Sequence, residues 1–294
     1  MTNTSKTVVF FGTDAFSAPT LRGLLADGYS VGVVVTKPDS KQGRGQQITA
    51  SLVKQIALQH DIPVWQPAKL TEIIDDIKAL GPVIGVLSSY GKIIPQSILD
   101  LFEPGIINIH PSLLPAYRGP SPIETAILNQ DEVTGVSVML LSADMDAGPI
   151  YEQIEVPIFS DEEAPALYET LANEGTAALL HVLPAIMDGQ LRPAAQKGEP
   201  TYTSLLKKSD SLLYPTALTS QEADAHVRAY LLFPKTKLTL SGKQVIITKA
   251  HVAKEAGAKE LALQTSKDLL VIDMLKPAGK REMSAREFLA GNQI

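Results

Sequence analysis

The amino-acid sequence predicts an α/β protein in which a doubly wound, mostly parallel, Rossmann-like sheet is followed by a small β-barrel domain. Three observations support this prediction. Short apolar, β-branched runs alternate with helical patterns through the N-terminal half, the order that produces parallel sheets covered by helices. Beyond residue 204 the chain changes to short strand-like runs separated by turns, as in small barrels. A stretch containing Pro193, Gly198 and Pro200, with few apolar residues, separates the two parts.

The elements of the N-terminal part follow from continuous apolar runs for strands and from apolar residues three and four positions apart for helices. Pro19 stands where the first turn of a helix tolerates proline, and Gly28 ends that helix. In chain order we predict strand 8–11, helix 20–26, strand 29–36, helix 51–60, strand 63–65, helix 71–80, strands 83–87 and 106–110, helix 123–128, strand 135–141 and helix 164–187.

The C-terminal part is predicted to hold one helix and several short strands. Ser220 is the expected N-cap of a helix over residues 220–230, since its hydroxyl can accept from the first free N–H groups. Strands are predicted at 237–240, 245–249, 261–264 and 269–272, with a turn at Ser241-Gly242. The predicted organisation is therefore a domain over residues 1–190, a linker over 191–204 and a second domain over 205–294.

Composition describes a globular protein and excludes several kinds of chemistry. The 294 residues are 45% hydrophobic and 20% charged, and there is no cysteine. Disulfides, thiolate catalysis and cysteine-based metal sites are thereby excluded. No stretch approaches the ~18 to 20 apolar residues of a membrane span, and the apolar run near the N-terminus is too short for a signal peptide. We expect a cytoplasmic protein that does not associate with membranes.

The charge is distributed unevenly along the chain. Residues 1–204 contain 12 Lys and Arg against 23 Asp and Glu, a net −11, whereas residues 205–294 contain 14 against 9, a net +5. The whole chain carries −6. A basic C-terminal domain on an acidic protein is suited to contact a polyanion. The asymmetry also fits two separate domains.

Polar residues that could carry chemistry follow one of the predicted strands. Asn108 and His110 are two positions apart on the strand 106–110, so their side chains point to the same face. Pro111 cannot donate to a sheet ladder and ends the strand. The carboxyl ends of strands are where ligands bind in open α/β sheets. Asp146, in the loop Asp144-Met145-Asp146-Ala147-Gly148, could complete a polar trio.

These motifs resemble the folate-dependent formyltransferases, which carry Asn-x-His, a following Ser-Leu-Leu-Pro run and an Asp in a Gly-bearing loop. The matching positions are Asn108, His110, Ser112 to Pro115 and Asp146. The similarity extends over nearly the whole chain. It includes Val9-Phe10-Phe11-Gly12-Thr13, the loop from Lys37 to Gln47, Ser89-Tyr90-Gly91, Tyr117-Arg118-Gly119-Pro120, Thr134-Gly135-Val136-Ser137 and Leu275-Lys276-Pro277-Ala278-Gly279-Lys280.

The resemblance implies a reaction, two substrates and an OB-like form for the C-terminal barrel. The implied donor is 10-formyltetrahydrofolate, and the implied acceptor is methionyl-initiator tRNA. Asn108 and His110 would stabilise the oxyanion of an acyl transfer, and Asp146 would orient His110 and relay protons. The implied folate-site residues are Ser112, Leu113, Leu114 and Pro115, and the implied tRNA contacts are Arg44 and Lys41. Ser89 and Tyr90 follow the strand 83–87 at the same sheet edge and are further candidates for the folate pocket, although Tyr90 could equally be a core residue. We expect no metal, since the remaining histidines lack metal-ligand spacing. We also expect the protein to be a monomer.

Three alternatives remain open from the sequence. The same trio could serve a formyltransferase for an amino sugar nucleotide or for glycinamide ribonucleotide, although the basic C-terminal segment favours tRNA. A dinucleotide-dependent oxidoreductase needs Gly-x-Gly-x-x-Gly after its first strand, but here Gly12 is followed by Thr13-Asp14-Ala15-Phe16. The third alternative is a non-catalytic RNA-binding protein, against which the presence of Asn108, His110 and Asp146 argues.

Overall fold

The computed structural model describes residues 6–42, 47–240 and 242–292, with the side chains of residues 41, 42, 47 and 48 outside that description. The chain forms two compact units, and both are discontinuous in sequence. The first comprises Met1–Arg118, Gly135–Val156 and Glu169–Thr201, and the second comprises Gly119–Thr134, Pro157–Tyr168 and Tyr202–Ile294. Two segments of the N-terminal part thus pack in the second unit. The domain boundaries at residues 190 and 205 stay a prediction.

The first unit is built on a seven-stranded sheet with the strand order β5-β2-β1-β6-β7-β8-β9. The first five of these strands pair in parallel, and β7 pairs with β8 in antiparallel fashion. This arrangement confirms the predicted doubly wound, mostly parallel sheet. The strands are β1 Thr7–Gly12, β2 Val31–Val35, β5 Val64–Trp65, β6 Val83–Ser88, β7 Ile106–His110, β8 Val133–Leu140 and β9 Ile150–Pro157, with a separate hairpin of β3 Ser40–Gln42 and β4 Gln47–Thr49.

The strand order places a topological switch point beside β1. From β1 the chain winds outward through β2 to β5, and it returns through β6 to β7 on the other side. The carboxyl ends of β1, β6 and β7 therefore border one crevice. The central strands β1, β6 and β7 are buried along nearly their whole length, which explains why continuous apolar runs predicted them.

The helices of the N-terminal part agree with the predicted pattern in most places. They are α1 Ser17–Ala26, α2 Leu52–Gln59, α3 Ile74–Ala79, α4 Gln96–Leu99, α5 Pro122–Leu128 and α6 Ala164–Met187. Ser51 caps α2 by accepting from the Lys54 N–H at 3.2 Å, a contact that contributes about 1 kcal/mol. The single helix predicted over residues 71–80 is wrong, because Leu70–Ile73 is a 3-10 turn that precedes a shorter α-helix.

The second unit contains a five-stranded antiparallel sheet, which confirms the predicted small β-rich part. Its order is β10-β11-β13-β12, with β14 added beside β13. The strands are β10 Lys237–Leu240, β11 Lys243–Ala253, β12 Leu261–Gln264, β13 Leu269–Pro277 and β14 Met283–Ser284. Register shifts near Lys249 bend the long strand β11 against β13. The helices α7 Ser220–Ala229 and α8 Ala285–Ala290 complete its core with side chains such as Ala223 and Phe288.

The predicted N-cap of α7 is wrong by one residue. Thr219, not Ser220, caps the helix, since its hydroxyl accepts from the Glu222 N–H at 3.2 Å. The Glu222 carboxylate in turn accepts from the Thr219 N–H at 2.7 Å. This reciprocal pair is a capping box, and Ser220 is the buried first residue of the helix.

The segment predicted as a linker makes specific contacts within the first unit. Ala194 and Ile150 exchange two backbone hydrogen bonds of 2.7 and 2.8 Å. Further along, the Thr201 carbonyl accepts from the Arg118 N–H at 2.9 Å, and the Thr201 hydroxyl accepts from the Tyr117 N–H at 2.8 Å. Residues 194–201 are thus held against the loop that follows β7.

Candidate active site

Asn108 and His110 lie together at the end of β7, as their spacing predicted. Strand alternation places both side chains on one face, and each residue is only 5% exposed. β7 pairs with β6 on one side and with β8 on the other, so its position is fixed by both neighbours. The Asn108 amide makes no side-chain hydrogen bond among the described residues. Its N–H groups can therefore donate hydrogen bonds to a substrate oxygen.

The His110 ring is held by contacts on both of its nitrogens. Nε2 lies 3.0 Å from the carbonyl oxygen of Tyr117. A carbonyl only accepts, so Nε2 carries a proton and donates it. Nδ1 faces the carboxylate of Asp146, 3.7 Å from Oδ2. Nδ1 is consequently the nitrogen that can gain or lose a proton during a reaction, and it does so beside a negative charge.

Asp146 is brought to His110 by a tightly constrained loop. Its backbone is in the left-handed region at φ +48°, which costs free energy for a residue other than glycine. Two residues later, a Cβ on Gly148 would overlap the carbonyl oxygen of Leu140. Only glycine allows this close approach, so the Gly-bearing loop that the sequence singled out has a geometric reason for its glycine.

Gln196 bridges this loop to the segment after β7, a role that the sequence did not reveal. Its Nε2 donates to the carbonyl oxygens of Asp146 at 2.7 Å and Gly148 at 2.8 Å. Its Oε1 accepts from Arg118 Nε at 3.1 Å and Nη2 at 2.6 Å. Gln196 falls in the predicted linker, where composition gave no signal. Only the match at Arg118, in the run Tyr117-Arg118-Gly119-Pro120, pointed toward this region.

The Ser112 to Pro115 run is stabilised by hydrogen bonds to Ala116 and from Ser137 on β8. The Ser112 hydroxyl donates to the Ala116 carbonyl at 2.6 Å, and the Ser137 hydroxyl donates to the Ser112 carbonyl at 2.7 Å. Ser112 is completely buried and Leu114 is 3% exposed, while Leu113 and Pro115 are partly exposed. The run is therefore a rigid turn beside His110. Its contact with folate stays a prediction.

Ser89 and Tyr90 follow β6 at the switch point, but their side chains have different surroundings. Ser89 is partly exposed and donates from Oγ to Asp14 Oδ2 at 2.5 Å. Tyr90 is 1% exposed and packs edge-on against Phe11, with ring centroids 5.7 Å apart. Burial raises the pKa of the Tyr90 hydroxyl to about 12. Its side chain belongs to the apolar core, so a folate contact at this position would use the Tyr90 backbone.

The two predicted tRNA contacts cannot be placed. Arg44 lies outside the described residues, as does the side chain of Lys41. The backbone on either side is described, and it forms the paired strands β3 and β4. Contact between this hairpin and RNA stays a prediction.

Metal ligands and apolar helices are the next features of the described residues. No group of three or more His, Asp or Glu side chains is arranged there to hold a metal ion. No helix in the described ranges has the length and apolarity to cross a bilayer.

Two family models match the chain and define its class. The model described as "Formyl transferase" matches residues 5–183, and the model described as "Formyl transferase, C-terminal domain" matches residues 206–293. The protein is a formyltransferase with both parts of that architecture.

Relatives of similar length narrow the class. The "Methionyl-tRNA formyltransferase" of Thermodesulfovibrio yellowstonii is 35% identical over 300 residues, covering 99% of this chain and 97% of the relative. The protein of the same name from Levilactobacillus brevis is 35% identical over 298 residues, covering 97% and 95%. The chain belongs to the methionyl-tRNA formyltransferase family.

Solved structures share the fold at low sequence identity. WlaRD, a sugar 3N-formyltransferase crystallised with dTDP and 5-N-formyl-THF, aligns with a TM-score of 0.69 and 20% identity over 95% of this chain and all of that one. HypX from Aquifex aeolicus, in complex with tetrahydrofolic acid, aligns with a TM-score of 0.69 and 15% identity over 96% of this chain and 46% of that one. These likenesses support the fold alone.

Proposed function

We propose that the chain transfers the formyl group of 10-formyltetrahydrofolate to the amino group of methionyl-initiator tRNA, a step in translation initiation. The observation that carries the mechanism is the fixed orientation of His110. Its Nε2 is tied to the Tyr117 carbonyl and its Nδ1 faces Asp146, on the same strand face as the Asn108 amide. Acyl transfer needs one group that moves protons and another that stabilises an oxyanion. His110, beside Asp146, is the group that can move protons, and Asn108 is the group that can stabilise the oxyanion.

The reaction requires a balanced exchange of protons. As the acceptor amine attacks the formyl carbon, a C–N bond forms, the formyl oxygen becomes an oxyanion and the amine must lose a proton. His110 takes up that proton at Nδ1, directly or through water, and returns it to the folate nitrogen as the old C–N bond breaks. No covalent intermediate with the protein is needed, because the amine itself is the nucleophile.

Each residue of the trio has a defined part in this scheme. The Asn108 amide donates to the oxyanion, which is a preorganised contact because the strand fixes its position. Asp146 stabilises the imidazolium that forms when Nδ1 gains a proton, since 3.7 Å is within ion-pair distance. The Tyr117 carbonyl keeps Nε2 protonated and so selects Nδ1 as the base.

The residues at the crevice fit a folate donor in their chemistry. The N–H groups of the Asn108 amide have no hydrogen-bond partner among the described residues, and a formyl oxygen can accept from them. Gly91, three residues after β6, is exposed with φ +68°, and the Lys37 side chain lies against it. The residues that would hold the donor are the turn from Ser112 to Pro115 and the backbone of Ser89 and Tyr90.

The acceptor is assigned from the family and from charge. Residues 205–294 carry a net +5, which suits contact with an RNA backbone. We propose that this part and the Arg44 hairpin contact the tRNA, and that the enzyme acts as a monomer in the cytoplasm. Light scattering at the assay concentration measures the molar mass, and the mass of a single chain, 31.6 kDa, is expected.

One assay tests the function. The purified protein is incubated with 10-formyltetrahydrofolate and, separately, with methionyl-initiator tRNA, methionyl-elongator tRNA, an amino sugar nucleotide and glycinamide ribonucleotide, and the formylated product is quantified by mass spectrometry. Formylation of the initiator tRNA in preference to the others is expected. Preferential formylation of the sugar nucleotide would overturn the proposed acceptor while retaining the chemistry. The Asn108→Ala variant serves as the control for catalysis by the site itself.

A further inference from the structure

We infer that Gln196 is a positioning residue that sets the separation of Asp146 from His110. The inference rests on the proposed function and extends it to a residue that does not touch the reacting atoms. Gln196 is partly buried, and all four hydrogen-bonding positions of its amide are used. Two N–H groups donate to carbonyls of the Asp146 loop, and Oε1 accepts twice from the Arg118 guanidinium.

The orientation of the Gln196 amide is determined by its partners. A guanidinium has donors only, so the atom that meets Arg118 is the amide oxygen. The carbonyls of Asp146 and Gly148 only accept, so the atom that meets them is the amide nitrogen. A flipped amide would lose all four contacts. The Gln196 amide therefore has a single orientation that satisfies all of its partners. No other neutral side chain of this length carries both an acceptor oxygen for the guanidinium and a nitrogen with two N–H donors for the carbonyls.

The contacts form a closed circuit through the catalytic pair. The His110 ring is tied to the Tyr117 carbonyl, and the next residue is Arg118, whose guanidinium holds Gln196. Gln196 then holds the backbone of Asp146, whose carboxylate faces His110 Nδ1 at 3.7 Å. The circuit is anchored to Thr201, which accepts from the N–H groups of the adjacent residues Tyr117 and Arg118. The distance between base and carboxylate is thus fixed by hydrogen bonds outside the pair.

The loop needs this support because it is strained. Asp146 lies at φ +48°, a conformation that persists only when its surroundings hold it. Without the bridge, the carbonyls of Asp146 and Gly148 lose their donor and the loop can relax away from His110. A displacement of about 1 Å from a productive arrangement can cost roughly 10²-fold in rate. We therefore expect an effect on turnover rather than on binding.

Two substitutions at Gln196 and one control test the contacts. Gln196→Met keeps the side-chain length and removes all four hydrogen bonds. Gln196→Glu still accepts from Arg118, but it sets a carboxylate against the two carbonyl oxygens. Gln190→Met makes the same chemical change at an exposed position three residues after α6 and is the matched control.

The kinetic test is a double-mutant cycle. Gln196→Met and Gln196→Glu are expected to lower kcat by roughly 10- to 100-fold, with KM for both substrates within threefold of wild type, whereas Gln190→Met retains wild-type values. In the Asp146→Asn background, Gln196→Met is expected to add less than a threefold further loss, since it acts through the same carboxylate. Losses that multiply, or that appear in KM, would overturn the inference.

A second readout does not depend on activity. The chain has five histidines, so ¹⁵N-labelled histidine gives a spectrum in which His110 is assigned by its loss in His110→Ala. Gln196→Met is expected to move the His110 Nδ1 resonance, and Gln190→Met to leave it in place. An unmoved resonance in folded Gln196→Met would overturn the inference. If wild type fails to formylate methionyl-tRNA, the proposed function fails, and this spectrum still tests the positioning.

Discussion

Replacing Gly148 by alanine is expected to lower turnover about 100-fold, because the added methyl group cannot be placed without moving the Asp146 loop. A Cβ at this position would overlap the Leu140 carbonyl oxygen, far inside the 3.0 Å below which such contacts essentially do not occur. It would also lie 3.1 Å from the Leu140 carbonyl carbon and from Met139 Cε. The obstacle is backbone on β8, so it cannot rotate away as a flexible side chain would.

The size of the effect follows from what the loop carries. Gly148 is two residues from Asp146, and the Gly148 carbonyl is one of the two that accept from Gln196. Relief of the overlap moves this segment by roughly 1 Å, and a shift of that size can cost about 10²-fold in rate. That factor corresponds to about 2.7 kcal/mol of lost transition-state stabilisation. The pair of Asp146 with His110, at 3.7 Å, lengthens or loses its alignment.

The assay is steady-state formylation of methionyl-initiator tRNA with both substrates varied, together with thermal unfolding. Gly257→Ala is the control, because a Cβ there would have its nearest neighbour at an ordinary 3.5 Å, in Glu260. We expect kcat to fall in Gly148→Ala alone, with a smaller change in folate KM. A folded Gly148→Ala protein with kcat within threefold of wild type would refute the argument that the loop position limits catalysis.

Four further predictions follow from the site and the core. Asn108→Ala and His110→Ala should each lower formyl transfer by roughly 10²-fold or more, the usual loss of one preorganised donor, in single-turnover assays of folded protein. Asp146→Asn should lower turnover more than folate affinity; an effect confined to folate binding, measured by titration, would make Asp146 a binding residue. Arg44→Ala should raise KM for charged initiator tRNA and leave folate affinity unchanged, with less dependence on salt than wild type, since each phosphate contact releases counterions. Burial raises the pKa of Glu124, so its carboxylate destabilises the fold above that pKa, and the penalty is absent below the unfolded value of about 4.3. Glu124→Gln should therefore raise Tm at pH 8 and not at pH 4, and a gain that is equal at both pH values would contradict this origin.

The parts of the fold that the sequence predicted well are those where one physical effect dominates. β1, β6 and β7 are buried on both faces, so each is a continuous apolar run. β9 was missed because only Val156 among its eight residues is fully buried, and a half-exposed edge strand lacks that pattern. The cap of α7 was misplaced because Thr219 and Ser220 can both cap, and only the position of Glu222 three residues after Thr219 distinguishes them.

Within the site, local spacing could predict some partners and not others. Asn108 and His110 share a face because strand geometry has a period of two, and no tertiary information is needed. Gln196 meets Asp146 across 50 residues and Arg118 across 78. Contacts at such separations leave no periodicity in one sequence. They depend on how β8, β9 and the segment from Ala194 to Thr201 are laid against each other.

The truncation that would most simply test the C-terminal part is unsuitable for this chain. α5, at Pro122–Leu128, and residues Pro157–Tyr168 belong to the same compact unit as the C-terminal sheet. Removing residues 205–294 would take away α7, which packs against α5, and the loss of buried apolar contact destabilises a protein for reasons unrelated to RNA. Charge substitutions on exposed lysines of this part, read out through the salt dependence of KM, are the sharper experiment.

The contacts of His110 explain why catalysis here should depend on a loop so far from it in sequence. With Nε2 held by a main-chain carbonyl, the ring cannot turn to present its other nitrogen without losing a partly buried hydrogen bond, which costs about 1 kcal/mol. In the proposed mechanism, proton exchange is therefore confined to Nδ1. The free energy of the imidazolium then depends on where one carboxylate lies, and that carboxylate is placed by Gly148 and Gln196. Residues that never meet the substrate thus set the energy of the charge that the reaction must form.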